Sequence, residues 1–160
     1  MDEHNVYLSL GSNMGNRAAN LKEAILSLSP QMEVQAKSNV YETPPWGYTE
    51  QAKFLNQAVK AKTYVEPLPL LKHLKRLEVA LGRQASFQYG PRLIDIDILF
   101  YDDLVLESPE LVLPHPHVHE RAFVLMPLLD IAPDLVHPVK GKTIRELIAF
   151  CDISGIVPFV

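Results

Sequence analysis

The chain predicts an α+β fold with a ferredoxin-like β-α-β-β-α-β core, a mostly antiparallel sheet carrying helices in layers. Three observations predict it. Short apolar runs of strand type recur at residues 6–10, 34–41, 54–64 and 93–101. Between them lie two stretches with apolar residues at helical spacing, and Pro and Gly fall at the joins. No internal repeat or linker interrupts the order, so the 160 residues read as a single domain over 1–160, long enough to bury a real core.

The elements follow in order. Residues 6–10 form an apolar run ended by Gly11-Ser12-Asn13, a strand and then a turn. Leu21, Ala24, Ile25 and Leu28 mark a helix that Pro30 cannot continue. After the strand at 34–41, the run Thr43-Pro44-Pro45-Trp46-Gly47 is a loop, because two prolines remove two donors. Beyond the long strand at 54–64, Pro67 stands at a helix start. Leu70, Leu74, Leu77 and Leu81 line one face of that helix, and Gly82 caps it. Residues 83–92 are a polar loop. The strand at 93–101 turns at Asp102-Asp103 into Val105-Leu106, a predicted hairpin. Residues 121–131 read as a helix in which Pro127 either makes a kink or starts a new turn, and 143–150 as a last short helix. Order is expected throughout, apart from a few residues at the start.

Composition narrows the function classes. A formal net charge of −4 disfavours a nonspecific nucleic-acid binder, whose affinity rests on clustered Lys and Arg. The one cysteine, Cys151, cannot close an internal disulfide or build a cysteine zinc site. No apolar run approaches the roughly 20 residues of a membrane helix, and the acidic start is not a basic leader. A cytoplasmic, membrane-free protein is the expectation.

The most informative stretch is Gly90-Pro91-Arg92 followed by Leu93-Ile94-Asp95-Ile96-Asp97-Ile98-Leu99-Phe100. Alternation across a strand puts Ile94, Ile96, Ile98 and Phe100 on one face and Asp95 and Asp97 on the other. Two carboxylates so close repel unless a cation sits between them, and Mg2+ favours carboxylate and phosphate oxygens. The same pattern also describes two ordinary aspartates on a solvated face. Arg92 can grip phosphate oxygens bidentately, or pair with one of those aspartates. No G-x-x-x-x-G-K-[ST] loop exists, and the glycine-rich 11–16 run lacks the lysine, so it reads as a turn and helix cap.

Other groups carry paired readings. His115, His117 and His119 alternate and could hold zinc, but no other zinc signature accompanies them. His115 stands between two prolines, which makes it the candidate phosphate-contacting imidazole. Phe54 and Asn56 share a strand face, suited to a flat heterocycle or to a core ring beside a surface amide. Phe123 is an opposing ring or helix core. Lys75, Glu78 and Arg83, at the end of the second long helix, reach a ligand or are exposed helix charges.

In combination these segments resemble the 6-hydroxymethyl-7,8-dihydropterin pyrophosphokinase family. The matching pieces are Leu10-Gly11-Ser12-Asn13, Tyr41-Glu42-Thr43-Pro44-Pro45, Phe54-Leu55-Asn56, Gly90-Pro91-Arg92 with Asp95-Ile96-Asp97-Ile98, Pro114-His115, and Arg121-Ala122-Phe123-Val124-Leu125 with the prolines that follow. The resemblance implies transfer of diphosphate from ATP to the pterin alcohol in folate biosynthesis, giving AMP. It implies two Mg2+ ions on Asp95 and Asp97, with Arg83 and Arg92 neutralising the transferring group. Lys75, Glu78, Arg83, Arg92, Ile98, Leu111 and His115 fall where the family contacts the nucleotide. Phe54 and Phe123 would sandwich the pterin, with Thr43, Pro45, Trp46, Asn56 and Asp95 around it and Tyr89 helping to close the site. Closure of the 47–53 and 83–92 loops would exclude water. Two departures stand out: Gln88-Tyr89 replaces the Arg-Trp often found before Gly-Pro-Arg, and the 83–92 loop is less basic than usual. The expected partners are small molecules, with a monomer favoured over an oligomer. Rival readings are a metal-dependent phosphatase using His115, His117, His119 and the two aspartates, with zinc dependence, and a non-catalytic ferredoxin-like binding module.

Overall fold

A computed structural model describes residues 2–83 and 86–160; Met1, within the start expected to lack order, and positions 84 and 85 of the predicted polar loop lie outside the described residues. In chain order the elements are β1 (His4–Ser12), α1 (Arg17–Leu26), β2 (Glu33–Lys37), β3 (Tyr41–Thr43), β4 (Phe54–Thr63), α2 (Pro67–Ala80), β5 (Asp95–Tyr101), β6 (Leu106–Glu107), β7 (Val112–Leu113), α3 (Ala122–Ile131), α4 (Ile144–Ile148) and β8 (Val157–Pro158). The main sheet runs β5-β1-β4-β3-β8, with β2 also on β4, and its pairings are antiparallel. The expected α+β class and antiparallel sheet are therefore what the chain adopts.

Each face of the sheet carries its own core. Val6, Leu8 and Leu10 of β1, with Ile94, Ile96 and Ile98, pack on Leu21 and Ala24 of α1 and on Leu70 and Leu74 of α2. On the opposite face Ala58, Leu99 and Phe100 pack on Val124, Leu125 and Leu128 of α3 and on Ile144 and Leu147 of α4. Helices thus cover both faces of one sheet, and strand alternation decides which residue meets which layer.

The structure corrects four expectations. Strand 34–41 is two strands: Ser38 Oγ accepts the Ala58 N–H at 2.8 Å, so a side chain replaces the ladder and splits β2 from β3. The turn predicted at Gly11 comes later, because β1 continues to Ser12, with Gly11 opposite both Asn56 and Asp95. The 93–101 strand forms no hairpin with Val105-Leu106; β6 pairs with β7 instead. Finally, Phe100 does not share the face of Ile94, Ile96 and Ile98. The register between β1 and β5 slips at Tyr7/Leu8, so Leu99 and Phe100 together oppose one position of β1. That bulge turns Phe100 to the α3 side, edge-on to Tyr7 at 6.3 Å between ring centres.

Helix α3 runs through Pro127 without ending. The end of α2 follows the expected cap closely. Gly82, at φ +105°, gives its N–H to the Val79 carbonyl, and the Arg83 N–H returns to the Glu78 carbonyl. This paired arrangement needs a positive φ at Gly82 and fixes where Arg83 leaves the helix.

Candidate active site

A cleft of about 270 Å³ opens on the α3 side of the sheet, at the end where β1 gives way to its loop. Its floor is made by small residues. Ser9 lies opposite Asp97 and Gly11 opposite Asp95 on one side, while Gly11 lies opposite Asn56 on the other. A Cβ on Gly11 would stand 2.8 Å from Asn56 Oδ1, so only glycine lets the amide lie against the strand. The register thereby sets the carboxylates of β5 and the aromatic-amide pair of β4 side by side with only β1 between them.

The acidic half holds Asp95 and Asp97, both lining the cleft on one strand face, as alternation predicts. Burial, then the neighbouring Asp95 charge, pushes Asp97 up to about 7. Asp95 is bridged by Arg83 at 3.0 Å, and Arg83 also binds Glu78. Glu78 is no exposed helix charge: it is 1% exposed, and its second oxygen accepts the Ile96 N–H at 2.6 Å. Burial, the leading cause, nevertheless holds its carboxyl above the usual range. Glu78 anchors the start of β5 from beneath the lining. Lys75, Ile98 and Leu111 likewise lie outside the lining; Lys75 sits 3.5 Å from Glu78, and Ile98 and Leu111 belong to the α1/α2 core.

The basic rim comprises Arg83, Arg92, His115 and Arg121. Arg92 does not pair with either aspartate. Its guanidinium curls onto the carbonyls of Phe87, Gly90 and Pro91 at 2.9–3.0 Å, while its backbone N–H binds Asn13 Oδ1 at 2.8 Å. His115 reaches the cleft because its N–H binds the carbonyl of Leu99, the bulge residue of β5, at 2.9 Å. Its Nδ1 accepts the His117 N–H at 3.1 Å, which leaves Nε2 as the protonated nitrogen of the neutral ring. Burial first, then the charges of Arg121 and His117, hold His115 down at about 4.

The three histidines do not converge as a ligand set. His117 pairs with Glu120 at 2.6 Å, and His119 packs edge-on to His137 at 6.3 Å. Among the described residues no group of three or more His, Cys, Asp or Glu side chains gathers to hold a metal. The aspartate pair is a different donor set. Two carboxylates in one cleft, one raised by burial and by its neighbour, suit a hard divalent cation that takes its remaining ligands from phosphate and water.

The apolar half holds Thr43, Pro44, Trp46, Phe54, Asn56 and Phe123. Asn56 is 4% exposed and gives Nδ2 to Thr43 Oγ1 at 2.6 Å, which orients its amide. Pro45, a sequence candidate, lines a neighbouring hollow rather than the cleft, while Pro44 lines both. Tyr89 does line the cleft, edge-on to Trp46 at 5.1 Å. The two loops expected to close over the site touch: Gln51 Nε2 binds the Tyr89 carbonyl at 2.6 Å, and Tyr48 meets Phe87 edge-on at 4.9 Å.

Arg121 is the main residue that sequence reasoning missed. It is 9% exposed, its guanidinium lies 4.3 Å from the Trp46 ring centre, and its Nε has no hydrogen-bond partner among the described residues. Burial lowers its pKa, against the charge of Asp97. The available signal was a lone cation directly ahead of a helix that is apolar save for Asp130. Asn13 was also missed as a tie: its amide binds Gln51 and the Ala52 carbonyl while accepting from Arg92, joining three loops.

Known proteins resemble this chain in sequence and in fold. Residues 7–133 match the family model described as 7,8-dihydro-6-hydroxymethylpterin-pyrophosphokinase. A protein of Methylorubrum extorquens named 2-amino-4-hydroxy-6-hydroxymethyldihydropteridine pyrophosphokinase is 50% identical over 152 residues, covering 94% of this chain and 95% of its own. The protein of that name from Aquifex aeolicus is 44% identical, covering 88% of each chain. Among solved structures, Plasmodium falciparum HPPK-DHPS with pteroate superposes with a TM-score of 0.75 at 20% identity, a likeness of fold. That match covers 92% of this chain but 42% of the longer protein.

Proposed function

Starting from the 7,8-dihydro-6-hydroxymethylpterin-pyrophosphokinase family, to which this chain belongs, we propose that it transfers diphosphate from ATP to 6-hydroxymethyl-7,8-dihydropterin in an Mg2+-dependent reaction that releases AMP. As a member of that family it is an enzyme, a pyrophosphokinase of folate synthesis. The observation that carries the finer reading is the division of one cleft into an acidic half with a basic rim and an aromatic-amide half, separated only by Ser9 and Gly11.

In this reading the pterin lies flat against Phe54 and Phe123, and Asn56 and Thr43 bond its edge. The triphosphate lies over Asp95 and Asp97, with Arg83, Arg92, Arg121 and the Nε2–H of His115 around its oxygens. Asp95 and Asp97 would hold Mg2+, which when bound supplies positive charge shared with the phosphate oxygens. The hydroxymethyl oxygen attacks the β-phosphorus in line. Its proton goes to solvent, the bond from the β-phosphorus to the oxygen linking it to the α-phosphorus breaks, and AMP leaves with that oxygen. Such transfer depends on positioning and charge neutralisation more than on covalent help from the protein. The loops that meet through Gln51, Tyr48, Phe87 and Tyr89 would keep water from taking the place of the pterin.

One assay tests the proposal. The protein is mixed with ATP, Mg2+ and the hydroxymethyl dihydropterin, and AMP is measured against time. Wild type should form AMP only when the pterin is present, and Asp97→Ala should form none. AMP formation at the wild-type rate by Asp97→Ala would overturn the role given to the carboxylates.

A further inference from the structure

The wall on the apolar side of the cleft is one residue thick. Pro44 and Trp46 line the cleft on one side and a second hollow on the other, and the far side of that hollow is formed by Asp152, Ser154 and Ile156. This tail lies beyond the 7–133 stretch that the family model matches. We propose that residues 152–160 are a positioning element for the pterin side of the cleft, bracing β3 and the Pro44–Trp46 wall from behind; the word pterin here rests on the function proposed above.

Four contacts make the brace. Strand β8 extends the sheet beyond β3, with Val157 opposite Glu42 and Pro158 opposite Tyr41. The Phe159 N–H then binds the Val40 carbonyl at 2.9 Å. Gly155, at φ +80°, turns the chain so close to Pro44 that an added Cβ would stand 3.3 Å from Pro44 Cγ. Arg17, at the start of α1, gathers the parts: its guanidinium lies 5.7 Å from the Phe159 ring centre, pairs with Glu42 at 2.9 Å and binds the Lys53 carbonyl at 3.0 Å. Without β8, the three residues of β3 would be an edge strand whose one neighbour in the sheet is β4, and Thr43 is the residue that orients Asn56. The ATP side depends on the wall only through Arg121, which rests on Trp46, because Asp95, Asp97, Arg83 and His115 hang on β5, α2 and the bulge carbonyl.

The single tryptophan of the chain, Trp46, sits in this wall and reports on it without any ligand. Two full-length variants probe the brace. Gly155→Val places a branched side chain at a positive φ against Pro44, and Phe159→Pro deletes the N–H to Val40. Measured are acrylamide quenching of Trp46 without ligand, the Kd of 6-hydroxymethylpterin, and the Kd of a non-hydrolysable ATP analogue with Mg2+. The expected result is stronger quenching and a pterin Kd about tenfold weaker, with the ATP-analogue Kd changed less than about twofold. Quenching and pterin affinity at wild-type levels in both variants overturn the proposal, as does an equal loss of both ligands, which marks general destabilisation. If wild type binds no pterin, the substrate reading fails, and the brace is then decided by Trp46 quenching alone.

Discussion

His115 gives a prediction about stability that needs no substrate. Burial and the nearby Arg121 and His117 charges hold its pKa at about 4 in the fold, against 6.5 for the ordinary side chain. The sign follows from linkage. The fold keeps the ring neutral, so below about pH 6.5 the unfolded chain takes up a proton that the folded chain refuses. The stability tied to His115 is therefore complete above 6.5 and is lost as pH falls toward 4. Holding the ring at about 4 rather than 6.5 corresponds to roughly 3.4 kcal/mol; between about pH 7.5 and pH 5 some 2 kcal/mol of it is lost, and residual solvent contact trims that toward about 1. His73 and His137 are also lowered by burial, so wild type alone does not isolate the effect. The comparison is with His115→Asn, whose side-chain oxygen can still accept the His117 N–H but takes no proton. Urea unfolding of both proteins at the two pH values gives four free energies. The wild type should lose about 1–2 kcal/mol more than the variant on acidification. Parallel losses, within about 0.5 kcal/mol, would refute the buried neutral imidazole.

Three further outcomes follow from other contacts. Gly11→Ala should push the Asn56 amide off its bond to Thr43, raising the pterin KM in the AMP assay and lowering stability by about 1–3 kcal/mol in urea melts. Glu78→Ala leaves the Ile96 N–H and Arg83 without their buried partner; a loss of about 3 kcal/mol in chemical denaturation is expected, and a change below about 0.5 would contradict the anchor role. Arg121→Ala removes a buried cation from the rim and the ring-stacked neighbour of Trp46. Its kcat/KM should fall about a hundredfold in AMP formation, and Trp46 emission should shift in the free protein.

How far the sequence was legible depends on whether a feature is local. Alternation in 93–98 is a property of one strand, so the shared face of Asp95 and Asp97 could be read directly. Gly82 likewise announced the end of α2 by its own conformational freedom. Alternation failed two residues later, because the bulge at Leu99 arises from pairing with β1 and leaves no mark in β5 alone. The exposed-charge reading of Glu78 failed for the same kind of reason. A helix stripe shows which side carries leucines, but not that the Ile96 N–H and Arg83 wait above Glu78 for a carboxylate. Arg121 and Asn13 act through partners distant in the chain, Trp46 for one and Gln51 and Arg92 for the other, and periodicity carries no signal for such contacts.

On the proposed function, the cations of the rim would also constrain how a triphosphate enters. Arg83 is already shared between Glu78 and Asp95, and Arg92 is spent on three carbonyls of its own loop. Arg121 is stacked on Trp46, a residue of the opposite half of the cleft. An anion arriving above the carboxylates must compete for each of these donors, so its binding energy is partly used to free them. What it frees is specific: release of Arg92 loosens the 87–91 loop, and release of Arg121 loosens Trp46 and, through their contact, Tyr89. On the proposed function, the nucleotide side and the heterocycle side would be coupled through Arg121, and whichever ligand binds first would change the wall that the second one meets. Reciprocity requires the same factor in both directions. The factor by which the ATP analogue changes the pterin Kd should equal that by which pterin changes the analogue Kd, and Arg121→Ala should bring both toward one.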